Sequence, residues 1–179
     1  MRFNLQPVLE NDLLLIRPLQ PGDFMDLFRV AGDPLLWAQH PNSDRYKYEV
    51  FRSFFEEAVD MGSAFTILDK KNGAVIGSSR YKLVSTADDA IEIGWSFLSR
   101  SYWGGLYNQS VKRLLIDHAF TGFDNVIFHI GENNIRSRKA VEKIGGELIT
   151  VGQLLSGKAG TVTYGIKKKN WPPRFAANL

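Results

Sequence analysis

The chain has 179 residues, of which 44% are apolar and 23% are charged, and its net charge at pH 7 is +3. This composition is typical of a globular domain with one core and excludes extensive disorder. The sequence contains no cysteine, which excludes disulfides, thiolate metal sites and a cysteine nucleophile.

The sequence also argues against membranes, metals and nucleic acids as partners. No run of 18 apolar residues, the length that crosses a bilayer, is present. The three histidines lie far apart along the chain, so we predict no metal site. The three lysines at 167–169 are a weak signal for nucleic acid. We therefore expect a cytoplasmic protein with no metal, membrane or nucleic-acid partner.

In chain order, the sequence first predicts a strand followed by helices. The apolar residues 13–16 predict a buried strand. A helix is predicted over residues 21–31 and a longer one over residues 46–61, where phenylalanines at helical spacing form one apolar face.

A hairpin and a further strand are predicted in the middle of the chain. Residues 65–68 and 74–83 have the composition of strands, and Asn72-Gly73 between them suits a two-residue primed turn. Residues 91–98 alternate as a third strand of this region.

The remaining residues predict helices and strands in alternation. Helices are expected over 108–120 and 135–144, and strands over 126–130, 148–155 and 161–166. Residues 170–179 contain prolines and are expected to form a loosely ordered tail. Together the elements predict a single α/β (α+β) domain over residues 1–179, with about seven strands and four helices.

The first segment with a chemical signal is a strand that enters a helix through a glycine-containing turn, residues 91–108. Such a turn leaves N–H groups unpaired at a helix N-terminus, where an anion binds, although a plain strand-to-helix turn has the same composition. Strand alternation predicts an apolar face and a small, acidic face, namely Ile91, Ile93, Trp95 and Phe97 against Glu92, Gly94 and Ser96. The second face would suit either the wall of a ligand channel or a solvent-exposed surface.

The second segment, residues 131–146, combines a helix start with basic residues. Asn134 is a candidate N-cap. Ser137 lies on the helical face of Val141 and therefore points inward. Lys139 and Lys143 are like charges four residues apart, which a bound phosphate would stabilise and which a solvated face would also explain.

Several short motifs now form a recognisable series over residues 13–171. They are Ile16-Arg17-Pro18-Leu19, Glu92-Ile93-Gly94-Trp95, Tyr102-Trp103-Gly104, the pair Asn134 and Ser137, and Glu142-Lys143-Ile144-Gly145. The series resembles the GNAT N-acetyltransferase superfamily. It is most similar to the RimJ/RimL-like branch, whose named members acetylate the N-termini of ribosomal proteins.

One motif departs from that branch. The branch usually has Trp-Gly-x-Gly-Tyr-Ala in the turn, and this chain has Trp103-Gly104-Gly105-Leu106-Tyr107-Asn108. Leu106 replaces a glycine and does not easily adopt a positive φ. Asn108 replaces a small residue and is able to cap the helix or donate to phosphate. The departure supports an alternative, a non-catalytic GNAT-like module that binds acyl-CoA or another ligand through a degenerate pyrophosphate loop.

The resemblance implies a fold and an activity. The fold is a twisted, mixed but mostly antiparallel sheet flanked by helices. The activity is transfer of an acetyl group from acetyl-CoA to a primary amine by direct attack in a ternary complex, without a metal. The acceptor is a protein or peptide N-terminus or a small-molecule amine, and the exposed terminal strands are compatible with a homodimer.

The resemblance also implies site residues. Glu92 is the candidate base or the carboxylate that positions the acceptor ammonium, Ser137 the donor to the departing sulfur, and Asn134 a ligand of the pantetheine arm or of an ordered water. The cofactor-binding residues implied are Trp95, Ser96, Phe97, Trp103, Gly104, Gly105, Leu106, Tyr107, Asn108, Asn134, Ser137, Arg138, Lys139 and Lys143. The acceptor is expected to contact Trp37, His40 and His129.

Overall fold

The computed structural model describes residues 3–84, 89–149 and 160–172. These residues form eight strands and four α-helices. The strands are β1 (Leu9–Glu10), β2 (Leu14–Pro18), β3 (Ala64–Asp69), β4 (Val75–Leu83), β5 (Ala90–Leu98), β6 (Asn125–Gly131), β7 (Glu147–Ile149) and β8 (Thr161–Lys167). The helices are α1 (Phe24–Ala31), α2 (Tyr48–Met61), α3 (Leu106–Ala119) and α4 (Ile135–Glu142).

The strands form one mixed sheet in the order β1-β2-β3-β4-β5-β6-β8-β7. Neighbouring strands are antiparallel, except that β5 and β6 are parallel. The predicted α/β class, the mostly antiparallel sheet and the four helices are thus confirmed. The extra strand, β1, has two residues, which is too short to show an alternation pattern in the sequence.

β5 and β6 are joined over a short distance and then part. Their register pairs Ala90 with Asn125 and ends with the pair Glu92 and Ile127. From residue 93 onward, β5 stays in the sheet through β4, while β6 from residue 128 onward stays in it through β8. A gap therefore opens in the middle of the sheet.

Apolar side chains form one cluster on each face of this sheet. On one face, Leu115 of α3 belongs to the same cluster as Ile93 of β5 and Phe128 of β6. On the other face, α1 and α2 contribute Leu27 and Phe55 to a second cluster. The gap between β5 and β6 consequently connects the α3 side of the sheet with the α1–α2 side.

A β-bulge interrupts β5 next to the gap. Ser78 of β4 pairs with Phe97, and Arg80 pairs with Gly94, so β5 contains one residue more than β4 over this interval. Trp95 at the bulge has a φ of +54°, a conformation that costs a non-glycine residue free energy and is found where a bulge re-aims side chains.

The bulge overturns the expected alternation of β5. Ile91 and Ile93 belong to the cluster on the α3 side, whereas Trp95 and Phe97 pack with the cluster on the α1–α2 side. The expectation that all four share one face is wrong, because the extra residue reverses the side-chain direction after Ile93.

Two predicted turns also differ from the structure. The β3–β4 hairpin has a four-residue loop, residues 70–73, because the N–H of Asp69 donates to the carbonyl of Ala74 at 2.9 Å; the predicted two-residue turn is wrong. Helix α3 begins at Leu106 with Gly105 as its N-cap, so Asn108 lies inside the first turn and does not cap the helix.

The structure describes only the first part of the strand predicted over residues 148–155. β7 covers Glu147–Ile149, while residues 150–155 of the expected strand 148–155 lie outside the described residues. Residues 173–179 of the expected tail lie outside them too. Among the described helices, none combines the length and apolarity needed to cross a membrane.

Close packing of β4 against β5 yields a stability prediction. A Cβ at Gly77 would lie 2.0 Å from the backbone oxygen of Phe97, so Gly77→Ala must displace the backbone beside the bulge. We expect the substitution to lower the free energy of unfolding by about 2–3 kcal/mol, measured by urea denaturation.

Gly22→Ala is the matched control, since a Cβ at Gly22 meets no described atom within 4 Å. We expect this control to change stability by no more than about 0.5 kcal/mol. Equal effects of the two substitutions would contradict the packing of β4 against β5.

Candidate active site

A cavity of about 640 Å³ occupies the gap between β5 and β6. Its walls come from β5 and β6, from the turn before α3, from α3 and α4, and from the segment 36–45. The cavity is large enough for a ligand of cofactor size, and its lining includes residues from both faces of the sheet.

The structure brings most of the predicted site residues to this cavity. The residues among them that line it are Trp37, His40, Glu92, Trp95, Ser96, Phe97, Trp103, Gly104, Gly105, Asn108, His129, Asn134, Ser137, Lys139 and Lys143. They come from segments far apart in the sequence, which the parted strands collect around one space.

Three predicted cofactor-binding residues have side chains elsewhere. The hydroxyl of Tyr107 donates to Oδ1 of Asp69 at 3.1 Å. The guanidinium of Arg138 donates to the hydroxyl of Tyr164 at 3.1 Å. The side chain of Leu106 points to solvent, since the residue is 68% exposed. These contacts give Tyr107 and Arg138 a structural role away from the cavity.

The N-terminus of α3 is a candidate anion site at one end of the cavity. Gly105 is its N-cap, and Gly104 before it has a φ of +70°. A Cβ at either glycine would meet no described atom within 4 Å. The first N–H groups of a helix attract anions, and Asn108 adds its side chain to this end of the cavity.

Leu106 does not distort this anion site. The residue is the first of α3 and is helical, so the positive φ of the turn falls on Gly104 and not on Leu106. The replacement of a family glycine by Leu106 therefore introduces no backbone strain, and the leucine N–H still belongs to the helix N-terminus.

The edge of β5 that faces the gap offers backbone hydrogen-bonding groups to a ligand. Beyond Glu92, the described register pairs β5 with β4 and no longer with β6. An extended ligand with amide groups would satisfy such an edge in the way that an added strand does. Ser96, which follows the bulge, is exposed at this edge.

Glu92 and His129 form a pair on the α1–α2 side of the gap. Oε1 of Glu92 lies 3.1 Å from Nδ1 of His129, and Glu92 is only 7% exposed. His129 alternates with Phe128 on β6, which places its ring on the face opposite to α3. A carboxylate beside an imidazole is an arrangement that accepts and moves protons.

Asn134 and Ser137 meet the cavity at the start of α4. Oδ1 of Asn134 accepts a hydrogen bond from the backbone N–H of Ser137 at 3.2 Å, which confirms Asn134 as the N-cap. This bond fixes the side chain of Asn134, which is buried. The first turn of α4 consequently presents a rigid polar surface to the cavity.

Lys112 is a cavity residue that the sequence analysis did not select. It lies one turn after Asn108 on α3, and its Nζ is 4.9 Å from the ring centroid of Phe128. Burial lowers the pKa of the Lys112 ammonium to about 8. The sequence could have indicated Lys112, because it lies four residues after Asn108 and therefore on the same face of the helix.

The 36–45 segment and α4 contribute two further cations that were missed. Arg45 and Arg136 both line the cavity. The guanidinium of Arg136 lies 3.7 Å from the ring centroid of Trp103 and donates to the carbonyl of Leu36 at 3.1 Å. Arg45 lies in an irregular segment, whose course periodicity does not reveal.

The described residues contain no group of three or more His, Cys, Asp or Glu placed to hold a metal ion. The chemical groups that converge on the cavity are the candidate anion site at α3, the open edge of β5, the carboxylate–imidazole pair and several cations.

Comparisons with known proteins agree with this architecture. A family model for the GNAT acetyltransferase domain matches residues 14–147. No curated protein matches the chain. Among solved structures, a GCN5-related N-acetyltransferase from Brucella melitensis has a TM-score of 0.78 at 17% identity, over 96% of this chain and 83% of that one.

Two further similar structures carry ligands. RimJ from Mycobacterium smegmatis in complex with CoA-disulfide has a TM-score of 0.67 at 16% identity, over 94% of this chain and 89% of that one. Spermidine N-acetyltransferase from Vibrio cholerae in complex with CoA and spermine has a TM-score of 0.66 at 12% identity, over 89% and 98%. At these identities the likeness concerns the fold.

Burial of Lys112 leads to a prediction for stability without ligand. We expect Lys112→Met to raise the Tm at pH 7 by roughly 2–4 °C, because a half-buried ammonium is replaced by an apolar chain of similar shape. The exposed Lys169 gives the matched control, and Lys169→Met should leave the Tm unchanged.

The same substitution has a predicted pH dependence. The pKa of Lys112 is about 8 in the folded protein and about 10.4 in an unfolded chain. The unfolded state therefore binds more protons between these pH values, and the wild-type protein gains stability relative to Lys112→Met as the pH rises from about 8 to about 10. Parallel profiles of Tm against pH would contradict this account.

Proposed function

The chain belongs to the GNAT acetyltransferase family, and from this premise we propose that it transfers an acetyl group from acetyl-CoA to a primary amine by direct attack in a ternary complex. The observation that carries the proposal is the single cavity that joins the anion site of α3 to the Glu92–His129 pair through the gap between β5 and β6. Donor and acceptor would approach each other from the two faces of the sheet.

The described residues fit acetyl-CoA, which supplies an activated thioester. The N-terminus of α3, with Gly104 and Gly105, would hold the pyrophosphate. The free edge of β5 at residues 95–97 would pair with the pantetheine amides. Lys139 and Lys143 line the same cavity and would meet the 3′-phosphate.

This fit argues against the alternative of a non-catalytic module. That alternative depends on a turn damaged by Leu106, and Leu106 is helical. It would also leave the buried Glu92 and its contact with His129 without a function.

Glu92 and His129 would accept the proton of the acceptor. An amine attacks only when neutral, and near pH 7.4 about 20–30% of an α-amino group is neutral, against about 0.1% of a lysine side chain. Oε1 of Glu92 would take the proton directly or through water, and Nδ1 of His129, 3.1 Å away, would share it.

The opposite end of the reaction concerns the departing sulfur. Oγ of Ser137 would donate a hydrogen bond to it from the first turn of α4. Lys112 adds a positive charge to the α3 side of the cavity, which would stabilise negative charge as it develops on the leaving group.

Substitution of the proposed proton acceptor tests this function. We expect Glu92→Gln to lower kcat for amine acetylation by about 10²–10⁴-fold, since the amide does not accept the proton. The rate is measured as thiol release from acetyl-CoA at saturating donor and acceptor. Binding of acetyl-CoA, measured by calorimetry, should be retained because Glu92 lies away from the α3 anion site.

Glu147→Gln on β7 is the matched control, since this carboxylate is exposed and outside the cavity lining. It should leave kcat unchanged. Undiminished activity of Glu92→Gln, together with an unchanged pH profile, would remove Glu92 from the reaction.

A further inference from the structure

Basic side chains concentrate where the acceptor would enter, on the α1–α2 side of the gap. Arg45 and Lys82 line the cavity there. Arg80 lies close to Arg45, because both guanidinium groups pack on the ring of Phe54. Their guanidinium carbons are 4.3 Å (Arg45) and 4.1 Å (Arg80) from its centroid. Lys82 is 6.0 Å from the centroid of Trp95.

Arg45 is buried without a close counterion. The residue is 8% exposed, and burial lowers the pKa of its guanidinium to about 10. Among the ion pairs of the described residues, none includes Arg45, and the nearby carboxylates of Asp44 and Glu57 belong to exposed residues. A buried charge in this state is costly until an anion binds it.

The side chain next to Arg45 does not neutralise its charge. Burial, together with the charge of Arg45, lowers the pKa of His40 to about 4, so the ring is neutral at pH 7. Nε2 of His40 lies 3.1 Å from Nη1 of Arg45, and Nδ1 lies 2.9 Å from the backbone nitrogen of Asn42. The contact therefore joins the guanidinium to a neutral group and leaves its positive charge without an anion.

Arg80 is a second buried cation without a buried counterion. Its side chain is 1% exposed, and its nearest carboxylate, Glu57 at 3.7 Å, is 59% exposed. Nη2 donates to the carbonyl of Phe54 at 2.6 Å, but Nε is buried with no hydrogen-bond partner in the described residues. The positive charges of Arg80 and Arg45 oppose each other.

The cavity lining supplies little negative charge to balance these arginines. Within its described lining, Glu92 is the one carboxylate, and it already lies against His129. The amine of an acceptor would take its place near this pair, which leaves the cations around Arg45 for another part of the acceptor.

We infer that the acceptor amine carries an anionic group, a carboxylate or a phosphate, which binds the guanidinium of Arg45. This inference rests on the proposed acetyl transfer and names its substrate class. The planar guanidinium offers paired N–H groups of the geometry that carboxylates and phosphates accept, while Lys82 and Arg80 add positive potential around it. A polyamine would instead bring more positive charge to these cations.

Matched acceptors test the inference. Thiol release from acetyl-CoA is measured with α-amino acids, ω-amino acids and aminoalkylphosphonates, each compared with its neutral amide or alkylamine and with diamines of equal length. We expect kcat/KM for the best anionic acceptor to exceed that of its neutral match by roughly tenfold to a hundredfold, as for a charge-assisted hydrogen bond. The carboxylate and phosphonate arms identify which anion is preferred.

The variant Arg45→Met tests whether the preference for anionic acceptors depends on Arg45. It should raise KM for the anionic acceptor about tenfold or more, with little change in kcat or in KM for the neutral match. Arg52→Met is the control, since Arg52 is exposed on α2 and pairs with Glu49 at the surface. An unchanged affinity for acetyl-CoA verifies that the Arg45 variant is folded.

The outcomes separate this inference from the proposed function. Acetylation of diamines or neutral amides as efficiently as of anionic acceptors, or an unchanged KM in Arg45→Met, overturns the inference and leaves the acetyl transfer standing. A protein that acetylates neither these amines nor the N-terminus of a peptide contradicts the proposed function itself.

Discussion

The separation of β5 from β6 is the constraint on which the rest of the molecule depends. After three parallel pairs, each strand keeps its hydrogen bonds to its outer neighbour and leaves its inner edge open. Unpaired backbone groups in the middle of a sheet are costly unless water or a ligand satisfies them. The bulge at Trp95 lies on this open stretch of β5 and reverses the side-chain direction after Ile93. A cavity is thereby built into the sheet.

The gap also separates two chemical environments. On the α3 side lie a helix N-terminus and the cations Lys112, Lys139 and Lys143, which suit a polyanionic donor. On the α1–α2 side lie the Glu92–His129 pair and the buried Arg45. Because the two sets are on opposite faces, the proposed donor and acceptor would reach the reacting atoms without competing for the same cations. Binding of these ligands would offset the stability that is lost by burying the charges.

Periodicity in the sequence located the helices and the longer strands but not the geometry of the site. The apolar spacing of α2 and the Asn134 cap of α4 are local signals, and both elements form as predicted. The bulge at Trp95 has no such signal, because its extra residue is defined by pairing with β4. For the same reason the expected face of Trp95 and Phe97 is wrong.

The family resemblance placed most of its candidate site residues on the cavity wall. It could not show that Arg138 turns to Tyr164, or that Arg45 reaches the cavity from an irregular segment. These placements depend on contacts between residues distant in sequence. The sequence likewise could not show that Leu106 leaves the turn intact. The turn needs a positive φ at Gly104 and not at position 106, and only the backbone angles show this.

The most direct test is amide hydrogen exchange of the protein with and without acetyl-CoA. If the gap holds the donor, exchange should slow in peptides that contain residues 93–98 and 104–108, because the ligand would pair with the open edge of β5 and with the N-terminus of α3. The outer strand β1 should exchange at the same rate in both conditions and serves as the internal reference. Unchanged exchange in both segments at saturating acetyl-CoA, or protection confined to another surface, would contradict the account.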